Sequence, residues 1–113
     1  MLDYRIAYDV WEKLQDVFTV RCEENLNAHE FYEEFLNSAM EYALLRTNWS
    51  FMTAAERLNQ DEHRTVCHDA FIARLQAVCR ICGINDLETL MPDRKTKGDF
   101  ACYVTAFLGI SQR

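Results

Sequence analysis

Between Asp61 and Gly83 the chain sets apolar residues at three- and four-residue steps, Cys67, Phe71, Leu75, Val78 and Cys82, with no proline or glycine before Gly83. A row of that period covers one face of an α-helix, whereas a strand would alternate its faces every residue. The spacing predicts a helix over 61–83 at the centre of the core, with Phe71 and Leu75 innermost and Gly83 as the left-handed residue that ends it.

The period recurs on both sides. Ile6, Val10, Leu14 and Val17, beside Ala7, Trp11, Leu14 and Phe18, predict an amphipathic helix over 2–24. Asn27 followed by Glu30 has the spacing of a capping box. It precedes two apolar rows, Phe31, Phe35, Tyr42, Leu45 and Leu36, Met40, Leu44, that run to about Thr47. Two rows suit a helix with more than one neighbour. Thr53 and Glu56 repeat the capping spacing ahead of a short segment over 54–58. Asp86 can cap one turn before Pro92. A last helix then starts within 93–96, carries Phe100, Tyr103, Val104, Phe107 and Leu108 inward and stops at Gly109.

At 113 residues, 50% hydrophobic and 27% charged, with three Gly and one Pro, the chain has the length of one domain over 1–113 and too few turn formers for a β-sandwich. The expected fold is all-α: a compact helical bundle of four principal helices with one or two short ones. A net charge of -6 speaks against a surface built to neutralise phosphates, so nucleic acid is not the expected partner. The acidic opening of 1–6 and the lack of a long apolar run predict neither an export signal nor a membrane span. Five cysteines, an odd number, then read as reduced thiols in a cytoplasmic protein.

Several constellations invite chemistry. Cys79-Arg80-Ile81-Cys82 has zinc or thiol-exchange spacing. Cys67 and His68, however, lie about 17 Å away along the same helix. The motif also ends a helix, where the dipole raises a thiol's pKa, so buried structural thiols are expected and no metal. Metal ligation by Cys22, His29 or Cys102 from other helices is the alternative. His29, His63 and His68 lack a carboxylate three residues earlier, so no Glu-x-x-His pair exists for a di-iron site. With no catalytic triad order, phosphate loop or HExxH, no enzyme and no cofactor are expected. Residues 53–75 could form a helix-turn-helix bending at 59–61, with Arg64, Thr65 and His68 on its second helix, although Asp61, Glu62 and Asp69 would face phosphates there.

Acidic stripes on the first two helices, Asp9, Glu12, Asp16, Glu23 and Glu30, Glu34, Glu41, read as solvated faces that could also meet a basic partner. Arg94, Lys95 and Lys97, followed by Asp99, reverse the overall charge at the start of the last helix, where cations oppose the dipole. That unfavourable choice marks Arg94, Lys95, Lys97 and Asp99 as the candidate binding residues. Side chains and free helix N–H groups there could converge on one phosphate or carboxylate. Alternatively, Asp93 and Asp99 neutralise the cations within a surface turn.

Asp61-Glu62-His63-Arg64-Thr65, His68-Asp69-Ala70-Phe71-Ile72, and above all Asp93-Arg94-Lys95 with Gly98-Asp99-Phe100-Ala101-Cys102-Tyr103-Val104, resemble segments of a small bacterial family of unknown function found in gut Firmicutes and their mobile elements. The resemblance covers the C-terminal half and supplies no activity. It implies a bacterial cytoplasm and a surface of interest around 94–99. The expected function is a non-enzymatic interaction or regulatory protein that docks on another macromolecule, in the first instance a protein, with a homodimer also open. A helix-turn-helix regulator using residues 53–75 and a metal- or ligand-binding bundle are the alternatives.

Overall fold

The computed structural model describes residues 5–111, with side chains described as far as 107. The described chain is all-α: α1 (Arg5–Glu24), α2 (Leu26–Trp49), α3 (Ala54–Ile81), α4 (Leu87–Leu90) and α5 (Arg94–Ser111). Four long helices and one short one make a bundle measuring 47 × 32 × 25 Å. No described helix is long and apolar enough to cross a membrane.

A single residue, Asn25, separates α1 from α2. Its extended backbone lets the side chain accept from Asn27 N at 2.9 Å and Ala28 N at 3.4 Å, so Asn25 is the cap rather than Asn27, which has been drawn into the first turn. Past the expected end at Thr47, α2 runs on to Trp49, where Arg57 donates from Nε to the Trp49 carbonyl at 2.9 Å.

The Thr53 capping box forms as the spacing predicts: Glu56 N donates to Thr53 Oγ1 at 3.2 Å and Thr53 N to Glu56 Oε1 at 3.1 Å. From there α3 continues unbroken, merging the short 54–58 segment with the long helix. The bend expected at 59–61 is absent, because Asn59, Gln60 and Asp61 include no proline or glycine and ride on the exposed or half-buried surface of a helix already nucleated at its cap. At the other end Gly83 takes φ +77°. Ile84 N donates to Cys79 O at 2.8 Å and Gly83 N to Arg80 O at 3.1 Å, the paired bonds of a Schellman ending. Asp86 precedes α4 without a side-chain cap bond. Gly109 does not stop α5, which continues to Ser111; a glycine near a helix end costs only about 1 kcal/mol. Leu108, expected to point inward, lies beyond the described side chains.

The hub of the bundle is α2, which packs along α1, α3 and α5, whereas α3 meets α5 only marginally. This corrects the expectation that the 61–83 helix is central. Ala28, Ala39 and Ala43 on α2 let neighbours approach closely, and Phe35 between them meets Phe18 of α1, Phe71 of α3 and Phe100 of α5 at centroid distances of 6.1, 6.1 and 6.2 Å. Phe71 and Leu75 are fully buried, as their stripe predicts. The second apolar row of α2 is core only at Leu36, which packs against it; Met40 and Leu44 are exposed, Leu44 at 65%, since three neighbours already fill the other side of the helix. Ile6, at 56%, likewise faces outward, leaving Ala7, Val10, Trp11, Leu14 and Phe18 to seat α1.

Candidate functional site

The basic segment 94–97 does not act as one cluster. Successive helical residues turn by 100°, so Lys95 and Lys97 stand about 200° apart on α5. Lys97 turns away toward α4, is only 11% exposed, and places Nζ 3.1 Å from Glu88 Oε2. The backbone end of α5 is occupied by the chain's own anion: Asp93 Oδ1 accepts from Thr96 N at 2.7 Å, and these hydrogen bonds hold its carboxyl below the usual range. Asp93 therefore takes the place a foreign anion would need at those N–H groups.

Asp99 is enclosed, 6% exposed, between two cations. Lys95 Nζ stands 3.0 Å from Oδ2, and Arg46 Nη2, reaching from α2, stands 2.9 Å from Oδ1. The second contact is a close charge pair, with the N–H off line for a hydrogen bond. Arg46 can lie there because residue 98 is glycine, where a Cβ would stand 2.5 Å from Arg46 Nη1. Thus Gly98 and Asp99 fix a guanidinium from α2 beside the first turn of α5.

That placement completes a cleft of 420 Å³ lined by Tyr42 and Arg46 of α2, Arg64 of α3, and Arg94 and Lys95 of α5. Arg64 is steadied from beneath by Trp49, its Cζ 4.7 Å from the ring centroid. Among the described residues no carboxylate stands within ion-pair distance of Arg64 or Arg94. The Tyr42 ring is buried, stacked on Phe71 and edge-on to His68, and its hydroxyl has no hydrogen-bond partner among the described residues. Exposed acids flank these residues in sequence: Glu41 beside Tyr42, Asp61 one turn before Arg64, Asp93 beside Arg94. The result is a cationic hollow on a chain of net negative charge.

Of the residues singled out in the sequence, Arg94, Lys95 and Asp99 come together, and Lys97 goes elsewhere. Arg46 was missed. By spacing alone Tyr42 belongs to an apolar core row, and Arg64 to the second helix of a helix-turn-helix. No local pattern joins residues from three helices, and the only hint was Gly98, a glycine inside a helical pattern that marks a close approach.

The other constellations take simpler forms. With α3 continuous, residues 53–75 contain no turn and cannot make a helix-turn-helix. Cys79 and Cys82 are buried, and desolvation raises all five thiols, Cys79 to about 12. Among the described residues no three His, Cys, Asp or Glu side chains are grouped to hold a metal. His68 is buried with Nδ1 3.2 Å from Asp69 Oδ1 and Nε2 unpartnered. Compared with protein-family models, curated proteins and solved structures, the chain finds no match.

Proposed function

We propose that this chain is a non-enzymatic docking protein that holds an anionic group of a partner protein in the cleft walled by Arg46, Arg64, Arg94 and Lys95. One observation carries the reading: in a chain of net charge -6, four cations from three helices line one hollow, and two of them have no carboxylate partner among the described residues. Like charges gathered in one place cost free energy unless something offsets them, and an incoming anion is the simplest offset. The five lining side chains offer charge and hydrogen-bond donors, which suits capture, and neither a carboxylate base nor a thiol nucleophile.

The test is fluorescence anisotropy with a labelled Gly/Ser peptide carrying four consecutive glutamates. Wild type should bind it in a salt-sensitive way, and Arg64→Gln with Arg94→Gln should weaken binding at least about tenfold. Lys13→Gln, on the exposed outer side of α1, should not. Equal binding by the double variant overturns the assignment to this cleft.

A further inference from the structure

We infer that the group held in the cleft is a phosphate monoester dianion, carried on a phosphorylated side chain of the partner; this rests on the docking reading above. Charge is the first ground. Asp99 offsets only one of the two charges on Arg46 and Lys95, and Arg64 and Arg94 have no carboxylate partner among the described residues, a surplus that a dianion offsets twice as far as one carboxylate would.

Shape is the second ground. The cations approach from three helices, α2, α3 and α5. A planar carboxylate presents two oxygens in one plane, which suits one guanidinium fork. A tetrahedral phosphate presents three terminal oxygens in different directions, so guanidinium groups from different walls can each engage it. The partnerless Tyr42 hydroxyl, on a side chain more than nine-tenths buried, adds a neutral donor in the wall.

Overall charge decides between a single phosphate and a chain of them. The chain as a whole carries a net charge of -6, whereas the residues lining the hollow are cationic or neutral. A nucleic acid carries a charge about every 1.7 Å along its axis and would extend past the hollow over a protein of net negative charge, whereas a lone dianion inside the hollow senses chiefly what lies within a Debye length of about 8 Å. The arrangement favours one compact anion over a polyanion.

Trp49 under Arg64 supplies the readout, because a ligand that draws on the guanidinium changes the field at the indole. Four probes are titrated against tryptophan emission: a Gly/Ser nonapeptide with one phosphoserine, the same peptide with glutamate there, inorganic phosphate, and a 12-base-pair DNA duplex. The phosphoserine peptide should bind at least about tenfold more tightly than the glutamate peptide, and its affinity should fall several-fold from pH 7.5 to 5.5 as the second phosphate ionisation near 6 is reversed. Arg94→Gln should weaken it about tenfold by tryptophan emission, and Arg64→Gln, which removes the guanidinium over Trp49, about tenfold by anisotropy of the labelled phosphoserine peptide, with circular-dichroism melting of Arg94→Gln unchanged.

Equal affinity for the two peptides overturns the phosphate assignment and leaves anionic docking standing. Inorganic phosphate binding as tightly as the phosphoserine peptide overturns the peptide source in favour of a small phosphate. Tighter binding of the duplex overturns both in favour of nucleic acid. If no probe binds, the docking reading falls as well.

Discussion

Arg46 of α2 and Asp99 of α5 meet across a helical turn that carries no side chain at residue 98, Nη2 to Oδ1 2.9 Å apart. The pair joins two helices and sets one wall of the cleft. Asp99 is 6% exposed and Arg46 21%, so desolvation of the survivor dominates when one is removed. Arg46→Met and Asp99→Asn should each cost about 2–4 kcal/mol in urea unfolding, and the double variant should cost less than their sum by about 1 kcal/mol or more. Strict additivity would show that the two charges do not act together.

Gly98→Ala sets two effects against each other. Replacing a helical glycine by alanine gains roughly 1 kcal/mol of helix propensity. The added Cβ, however, would stand 2.5 Å from Arg46 Nη1 and displaces the guanidinium from Asp99. The expected outcome is net destabilisation in the wild-type background and stabilisation in the Arg46→Met background. The same sign in both would mean that the glycine is not there to admit Arg46.

Phe35 meets an aromatic ring from each of α1, α3 and α5, so its truncation opens a void that no single neighbour can close. Phe35→Ala should cost about 3–5 kcal/mol, the upper range for buried side chains. Leu44→Ala, on the outer face of the same helix, should stay within about 0.5 kcal/mol. A cost at Leu44 comparable to that at Phe35 would reverse the facing of α2.

Alkaline pH should unfold the protein through its buried thiol. Burial pushes Cys79 from about 9 to about 12, so between those values the unfolded chain releases a proton that the folded chain keeps. This contribution is complete below pH 9 and shrinks by up to roughly 1.4 kcal/mol per pH unit above it. Tyr32, raised from 10 to about 12 by burial, adds to the loss above pH 10. Urea midpoints at pH 7.5, 9 and 10.5 should fall, and more shallowly in Cys79→Ala. A flat profile would rule out the thiol as a source of alkaline instability.

Local signals in the sequence proved legible where one residue type determines one geometry. Gly83 ends α3 in the left-handed region, Thr53 and Glu56 close their box, and Phe71 and Leu75 are fully buried. The rest depends on competition between neighbours. Asn25 and Asn27 are both good caps, and the extended backbone at Asn25 decides between them. Polar residues at 59–61 suggest a turn, yet a helix started at Thr53 passes through them. Similarly, Arg94 and Lys95 were visible as an odd local charge, whereas Arg46 and Arg64 join them only through the packing of α2 against α3 and α5.

The wall of the cleft draws on residues 42–46, 64 and 94–95, segments with no common site until α3 and α5 are both seated on α2. A hairpin of α2 and α3 alone would present Arg64 without Arg94 or Lys95, and Arg46 without its buried carboxylate. An anion bound there, as proposed above, would stabilise the assembled bundle relative to every partly assembled form, by a margin that grows with its concentration. On the docking reading proposed above, such a ligand would select assembled bundles, and a form in which α5 is not seated on α2 would go unrecognised.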